Sequence, residues 1–132
     1  MDEPKRVLVT GAGGFIGSHL VTYLKDKGYW VRGADQKYPE FENSDADEFL
    51  IVDLRKWEDC VEATRSIDEV YALAADMGGM GFISSHHAQI LYNNSLINLH
   101  TIEAARQAGV SKYLYTSSAC VYPEHLQLVE NV

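Results

Sequence analysis

The sequence predicts an α/β fold in which helices cover both faces of a five-stranded parallel sheet, in the doubly wound arrangement. Three observations support this prediction. Short apolar runs rich in β-branched residues alternate with segments of helical periodicity, a glycine-rich turn joins the first run to the first helix, and a glycine follows the first and the last helix. Because βαβ crossovers are right-handed, the strands should lie in the order 3-2-1-4-5.

Each element has its own signal in the sequence. Gly28 and Gly109 stand where helices commonly end, and the polar segment 36–47 has no periodicity, so we expect a surface loop there. The longest helix should run from Ser84 to Ala108, and no regular pattern resumes after Ser117. The predicted strands are residues 6–10, 30–34, 49–52, 69–73 and 112–116, and the shorter helices are residues 15–27 and 56–65.

Composition limits the classes of function. The 11 Lys and Arg residues against 19 Asp and Glu residues give a net charge of −8, so we expect no nucleic-acid partner. No apolar run approaches the roughly 20 residues that span a bilayer, so we expect no membrane partner. Cys60 and Cys120 lie far apart in the sequence and no charged-then-apolar leader opens it, which favours a cytoplasmic protein.

Three glycines at intervals of three residues follow the first strand at once: Gly11, Gly14 and Gly17. Gly11 permits a tight turn, Gly14 has no side chain to keep a diphosphate at a distance, and Gly17 lets the helix pack closely on the strand. The helix N-terminus adds unpaired N–H groups and a partial positive charge. This pattern predicts a dinucleotide site, and a purely structural glycine turn is the alternative.

An acid, Asp35, ends the second strand 18 residues after Gly17. A carboxylate there can accept both hydroxyls of an adenosine ribose and would repel a 2′-phosphate. The next residue, Gln36, is not basic. We therefore predict NAD rather than NADP as the cofactor, with an ordinary turn acid as the alternative reading of Asp35.

Further candidates lie where the third and fourth strands end. Asp53 and Leu54 could meet an adenine amino group and ring, although such a pair is common after strands. Ala74 and Ala75 are small enough for the backbone to approach a cofactor. The glycine-rich segment 77–81 could grip a sugar or a phosphate, or it could be a mobile link.

The fifth strand leads into Ser117, Ser118, Ala119 and Cys120. Small hydroxyl groups there can hydrogen-bond a substrate hydroxyl, and a thiol with a suitable pKa can exchange a proton. Cys60, within a helix, has the pattern of a small buried apolar residue. The histidines lack acidic or cysteine partners at ligand spacing, so we predict no metal site.

The chain combines several of these features: residues 10–17 (TGAGGFIG), Asp35, Asp53 with Leu54, the Ala74–Ala75 pair and residues 117–122 (SSACVY). Together they resemble the extended short-chain dehydrogenase/reductases that act on nucleotide sugars and have a Rossmann-like fold. Within that family, residues 73–82 (LAADMGGMGF), 92–94 (YNN) and 117–124 are similar to those of the enzymes that epimerise GDP-mannose at C3 and C5.

The resemblance implies a mechanism. NAD oxidises C4 of the hexose transiently, the 4-ketone acidifies the hydrogens at C3 and C5, and return of a proton on the opposite face inverts those carbons. Cys120 would be one acid/base group, Ser118 would hydrogen-bond the reacting hydroxyl, and Gly78 and Ala119 would contact the substrate. The implied cofactor contacts are Gly11, Gly14, Phe15, Ile16, Gly17, Asp35, Asp53, Leu54, Ala74, Ala75 and Asn94.

The sequence departs from the family in one respect. The expected Tyr-x-x-x-Lys pair after the fifth strand is missing, and Tyr23 with Lys27 on the first helix matches that spacing by coincidence. We therefore expect residues 1–132 to be an incomplete NAD-binding domain without its substrate domain, inactive alone. A nucleotide-sugar 4-epimerase or dehydratase and a non-catalytic dinucleotide-binding module are the alternatives.

The predicted long helix also suggests self-association. Ile90, Leu91, Ile97 and Ile102 cover more than one of its faces. A helix that is apolar on several faces packs against more than its own sheet. We therefore expect a homodimer formed through the helix from Ser84 to Ala108.

Overall fold

A computed structural model describes residues 3–77, 86–118 and 121–126 of the chain. The strands are β1 (Arg6–Thr10), β2 (Trp30–Asp35), β3 (Glu48–Ile51), β4 (Glu69–Ala72) and β5 (Lys112–Tyr115). The helices are α1 (Phe15–Asp26), α2 (Trp57–Thr64) and α3 (His87–Gln107), and a 3₁₀ helix follows at Glu124–Leu126.

The predicted sheet is confirmed. The five strands lie in the order β3-β2-β1-β4-β5, and all four neighbouring pairs are parallel. In the centre, Thr10 at the end of β1 pairs with Ala34 of β2 and Ala72 of β4. The carboxyl ends of the three central strands therefore reach the same edge of the sheet, where the glycine-rich turn begins.

One helix boundary differs from the sequence prediction by more than one residue. His86 has φ of −130° and ψ of 41°, which is not helical, so α3 begins at His87 and the prediction of a continuous helix from Ser84 is wrong. Histidine is a weak helix former, and the apolar periodicity starts later, at Ile90. Ser84 itself lies outside the described residues.

The prediction of no regular structure after Ser117 is also wrong, because of the short 3₁₀ helix. Within it the Leu126 N–H donates to the carbonyl of Pro123 (3.0 Å). The proline ring fixes φ near the helical value, which favours a turn at this position. The remaining helices and strands agree with the prediction to within one residue at each end.

The core consists of two clusters, one on each face of the sheet. Val7 and Val9 of β1 pack with Val21 and Leu24 of α1. Leu8, which points to the opposite face, packs with residues of α2, β4 and α3. This alternation along β1 places helices on both faces, as the doubly wound prediction requires. Across the described residues, no helix is both long and apolar enough to cross a membrane.

A buried arginine connects β2 to the end of α2. The Nη1 of Arg32 donates to the carbonyls of Ala63 (2.9 Å) and Arg65 (2.8 Å), and its Nε lies 3.3 Å from an Oε2 of Glu48. The last carbonyls of a helix have no partner within the helix. Arg32 supplies one, and it also complements the negative end of the helix dipole.

We expect Arg32→Met to lower the free energy of unfolding by about 2–3 kcal/mol, since it leaves buried carbonyls without a donor. Urea denaturation at neutral pH measures this difference. Arg106→Met is the matched control, because Arg106 pairs with Glu103 on the exposed face of α3, and a surface change costs at most about 0.5 kcal/mol. Equal effects of the two changes would contradict this role for Arg32.

Candidate functional site

The glycine-rich turn after β1 is fixed between the ends of β2 and β4. Gly11 has φ of +71°, and its N–H donates to the carbonyl of Ala34 (2.9 Å). A Cβ on Gly11 would lie 3.0 Å from backbone atoms of Leu73 and Ala74. Gly11 therefore meets both requirements for glycine, a left-handed conformation and a close backbone approach.

The three other glycines of the turn differ in the space around them. A Cβ on Gly17 would lie 2.0 Å from the Gly11 oxygen, so α1 approaches the turn as closely as backbones can. A Cβ on Gly14 would meet one described atom, the same oxygen at 3.4 Å, which is ordinary contact. Gly14 thus leaves room beside the helix N-terminus. A Cβ on Gly13 would lie 2.1 Å from the carbonyl oxygen of Lys37, a constraint that the glycine spacing does not reveal.

The N-terminus of α1 opens onto this room. Gly14, the residue before the helix, makes no side-chain cap, and the first turn contains no acid. The first N–H groups of a helix have no partner within it, and together with the helix dipole they attract anions. The side chains of Phe15 and Ile16 are exposed, and the ring of Phe15 packs edge-on against His19 at 4.7 Å.

A cavity of about 700 Å³ extends from this helix end along the carboxyl edge of the sheet. Its walls are the glycine turn, the ends of β2, β3 and β4, and the first half of α3. The lining residues are Gly11, Gly14, Asp35, Gln36, Lys37, Val52, Leu54, Arg55, Leu73, Ala74, Ala75, Asp76, Met77, Gln89, Asn93 and Ile97.

Asp35 lies on the wall of this cavity and also shapes the turn. Its Oδ2 accepts the Gly13 N–H (2.9 Å), and its Oδ1 accepts the N–H of Gln36 (2.6 Å). The carboxylate is therefore held in place by two backbone donors. A carboxylate offers about four acceptor positions, so two hydrogen bonds leave capacity for hydroxyl groups of a ligand.

Asp53 and Leu54 are placed differently from each other. Leu54 is buried and lines the cavity. Asp53 receives Arg55 in a fork, with Nε 2.9 Å from its Oδ1 and Nη2 2.8 Å from its Oδ2. These hydrogen bonds lower the pKa of Asp53 from its ordinary value of 3.8 to about 2. Arg55 itself lines the cavity. The sequence did not indicate this role for Arg55.

Ala74 and Ala75 line the cavity beside the glycine turn. The Oγ1 of Thr10 accepts the N–H groups of Leu73 and Ala74, both at 3.1 Å. This hydroxyl thus holds the end of β4 against the end of β1. No local pattern in the sequence indicates this contact, because it joins residues more than 60 positions apart.

Two adjacent asparagines of α3 act on Asp76, which follows β4. The Oδ1 of Asn94 accepts the Asp76 N–H (2.7 Å), and the Nδ2 of Asn94 donates to the Asp76 carbonyl (3.0 Å). Asn93 donates from Nδ2 to Oδ2 of Asp76 (2.7 Å) and lines the cavity. The predicted cofactor residue Asn94 therefore holds the backbone, and its neighbour Asn93 faces the ligand space.

The structure describes one of the four residues that the sequence predicts to touch the substrate. Ser118 is exposed and follows β5. Gly78, Ala119 and Cys120 lie outside the described residues. Nowhere in residues 3–77, 86–118 and 121–126 do three or more His, Cys, Asp or Glu residues form a group that could hold a metal ion.

Cys60 and the Tyr23–Lys27 pair play no part in the cavity. The Cys60 thiol is buried and donates to the Leu54 carbonyl (3.1 Å), and burial raises its pKa to about 11. Cys60 thus behaves as the small buried residue that the sequence predicted. The ammonium of Lys27 lies 5.3 Å from the ring of Tyr23 in the last turn of α1, at the end opposite the cavity.

Comparison with known proteins agrees with this geometry. A family model described as "NAD dependent epimerase/dehydratase family" matches residues 7–132. The chain belongs to this family. It is 50% identical to GDP-mannose 3,5-epimerase 1 of Oryza sativa subsp. indica over 132 residues, which cover 98% of this chain and 35% of that protein. GDP-mannose 3,5-epimerase of Arabidopsis thaliana is 50% identical over 128 residues, or 34% of its length.

Solved structures of the family share the fold. A crystal structure of UDP-galactose 4-epimerase superposes with a TM-score of 0.77 at 31% identity, covering 89% of this chain and 39% of that one. The structure of MoeE5 in complex with UDP-glucose and NAD superposes with a TM-score of 0.78 at 35% identity, covering 89% and 38%. The chain spans about a third of the length of the curated relatives it matches.

The glycine geometry predicts losses of stability of different size at two positions of the turn, Gly17 and Gly14. We expect Gly17→Ala to lower the free energy of unfolding by about 2–3 kcal/mol, because the new methyl group would overlap the Gly11 oxygen. Gly14→Ala should cost no more than about 1 kcal/mol, the scale of a poorer helix cap. Urea denaturation distinguishes them, and a larger cost for Gly14→Ala would show that the packing of α1 on the turn is wrongly described.

The Asp53–Arg55 pair predicts a dependence of stability on pH. The folded-state pKa of Asp53, about 2, is below its ordinary value of 3.8, so its stabilisation is present above pH 4 and disappears as the pH falls towards 2. We expect Asp53→Asn to lose less stability than the wild type between pH 5 and pH 2. Arg106 also lowers the pKa of Glu103 to about 2, so Glu103→Gln, outside the cavity, is the matched comparison and should change the pH profile in the same direction. An unchanged pH profile in Asp53→Asn would contradict the pairing.

Proposed function

We propose that residues 1–132 form the NAD-binding part of a nucleotide-sugar epimerase, an isomerase that acts at C3 and C5 of GDP-mannose. The observation that carries this proposal is the identity of 49–50% to GDP-mannose 3,5-epimerases over 96–98% of the chain. Relatives with other activities are less similar: GDP-L-fucose synthase of Escherichia coli (strain K12) is 32% identical.

The cavity fits NAD in its charges and its shape. A diphosphate would lie at the N-terminus of α1, where Gly14 leaves space and the first turn contains no competing acid. The ribose hydroxyls of the adenosine half would reach Asp35, and the same negative charge would disfavour a 2′-phosphate. Leu54 offers an apolar surface for the adenine ring, and the small residues Ala74 and Ala75 would let the nicotinamide half approach the sheet edge.

The proposed chemistry occurs beyond the ends of β4 and β5. When bound, NAD would supply reversible hydride transfer at C4 of the hexose, and with the C4 hydroxyl proton passing to a general base the sugar would be a ketone in the interval. Ser118 would form a hydrogen bond with the reacting hydroxyl. Gly78 and Ala119 would contact the sugar. Cys120 would remove or return a proton at C3 or C5, which the neighbouring ketone has acidified.

Other parts of the proposal concern the whole protein. Since the chain spans about a third of its curated relatives, we propose that it binds NAD weakly and does not turn over by itself. We further propose that the protein is cytoplasmic and that it forms a homodimer through α3. The dimer is supported by the exposure of α3, since the side chains of Leu91, Leu99 and Ile102 are half or more exposed, while Ile97 on the other side packs on the core.

A nucleotide-sugar 4-epimerase is the second candidate, favoured by the superposition with UDP-galactose 4-epimerase. That reaction also passes through a 4-ketone but leaves the hydrogens at C3 and C5 in place. A dehydratase shares the first step, and a non-catalytic dinucleotide-binding module would show none of this chemistry. Deuterium at both C3 and C5 therefore separates the proposed reaction from these other functions.

The test is incubation of the full gene product that carries this sequence with GDP-mannose in deuterated water. We expect deuterium at C3 and C5, read by NMR and mass spectrometry. Cys120→Ser should slow the exchange by about 100-fold or more, whereas Cys60→Ser, which alters the buried thiol, should leave the rate per folded molecule unchanged. A sugar altered at C4 without deuterium at C3 and C5 would support the second candidate, and NAD binding without reaction would support the module.

A further inference from the structure

A continuous line of polar contacts crosses the cavity from the end of β3 to the end of β4. It starts at Arg55, whose Nη1 donates to Oδ1 of Asn93 on α3 (3.3 Å). It continues from Nδ2 of Asn93 to Oδ2 of Asp76 (2.7 Å). All three side chains line the cavity. A cation and an anion thus face the two ends of one carboxamide.

This arrangement selects one orientation of the Asn93 side chain. The oxygen and nitrogen ends of a carboxamide have nearly the same shape, but the first accepts and the second donates hydrogen bonds. In the flipped orientation the NH₂ group would face the guanidinium of Arg55, and the oxygen would face the carboxylate of Asp76. Both contacts would then be repulsive. Because Asn93 is only 6% exposed, water has little access to replace them.

Both charged ends are themselves held in place. Arg55 forks onto Asp53, and this contact raises the pKa of the guanidinium, so the cation persists at every ordinary pH. Asp76 is held through both of its backbone polar groups by Asn94. The side chain of Asn93 therefore sits between two fixed charges rather than between mobile ones.

We propose that Arg55 and Asp76 are positioning residues that lock the Asn93 carboxamide with its nitrogen end towards the β4 side of the cavity. An amide nitrogen carries two N–H groups in the plane of the group, so binding one of them to Asp76 fixes the direction of the other. The device would present a donor of defined direction to an acceptor group of the dinucleotide. This inference rests on the proposed function for the identity of the ligand, but the locking itself does not.

The first test measures the affinity for NAD in a double-mutant cycle of the full gene product. Arg55→Met should weaken NAD binding about 10-fold in the wild-type background and less than about 2-fold in an Asn93→Ala background, because Arg55 acts through Asn93. Arg106→Met, which breaks an arginine–carboxylate fork at the far end of α3, is the matched control and should change nothing. Equal losses in both backgrounds would overturn the proposal.

The second test observes the carboxamide without a ligand. In protein labelled with ¹⁵N at asparagine, the Asn93 NH₂ signal, assigned with Asn93→Ala, should show one proton shifted downfield and slow exchange with water. Asp76→Asn and Arg55→Met should move both properties towards those of an exposed asparagine, and Arg106→Met should not. Unchanged signals in the two cavity variants would overturn the proposal.

The two tests separate this inference from the proposed function. If the wild type does not bind NAD but the Asn93 signal responds as expected, the dinucleotide assignment fails and the locking stands. If Arg55→Met does not fold, Arg55→Lys replaces it in both tests, because a single ammonium cannot serve Asp53 as a fork and Asn93 at once. Arg55→Lys should then give losses of the same kind, and wild-type values would overturn the proposal.

Discussion

The approach of α1 to the glycine turn is the constraint on which the rest of the site depends. Gly17 lies so close to the Gly11 carbonyl that no side chain fits between them. This contact brings the N-terminus of the helix to the sheet edge, and the positive φ of Gly11 turns the chain sharply enough to reach it. The open space beside Gly14 and the electrostatic character of that space both follow from this backbone packing.

Around this turn, three polar side chains hold backbone groups of neighbouring segments. Thr10 binds the chain after β4, Asp35 binds Gly13, and Asn94 binds Asp76 through both of its backbone groups. Each of these hydrogen bonds satisfies a group that a strand or helix end leaves without a partner. A site framed in this way is rigid where a cofactor must fit, because each wall is tied to a neighbouring strand or helix.

The sequence predicted the parts of the molecule that depend on local pattern. Strand order follows from the alternation of elements and the handedness of crossovers, and the turn follows from the spacing of Gly11, Gly14 and Gly17. It did not predict the need for glycine at position 13 or the roles of Arg55 and Thr10. These depend on contacts with residues between 24 and 64 positions away, such as Lys37, Asn93 and Ala74. Nothing in a local pattern reveals such distances.

We propose that the turn after β1 binds the diphosphate of NAD through the first amides of α1. A crystal structure of the full gene product soaked with NAD tests it most directly. We expect diphosphate oxygens about 3 Å from the backbone nitrogens of Phe15 and Ile16, the first two residues of α1, with the adenosine ribose on Asp35. A dinucleotide bound elsewhere, with this helix end facing only water, would contradict it.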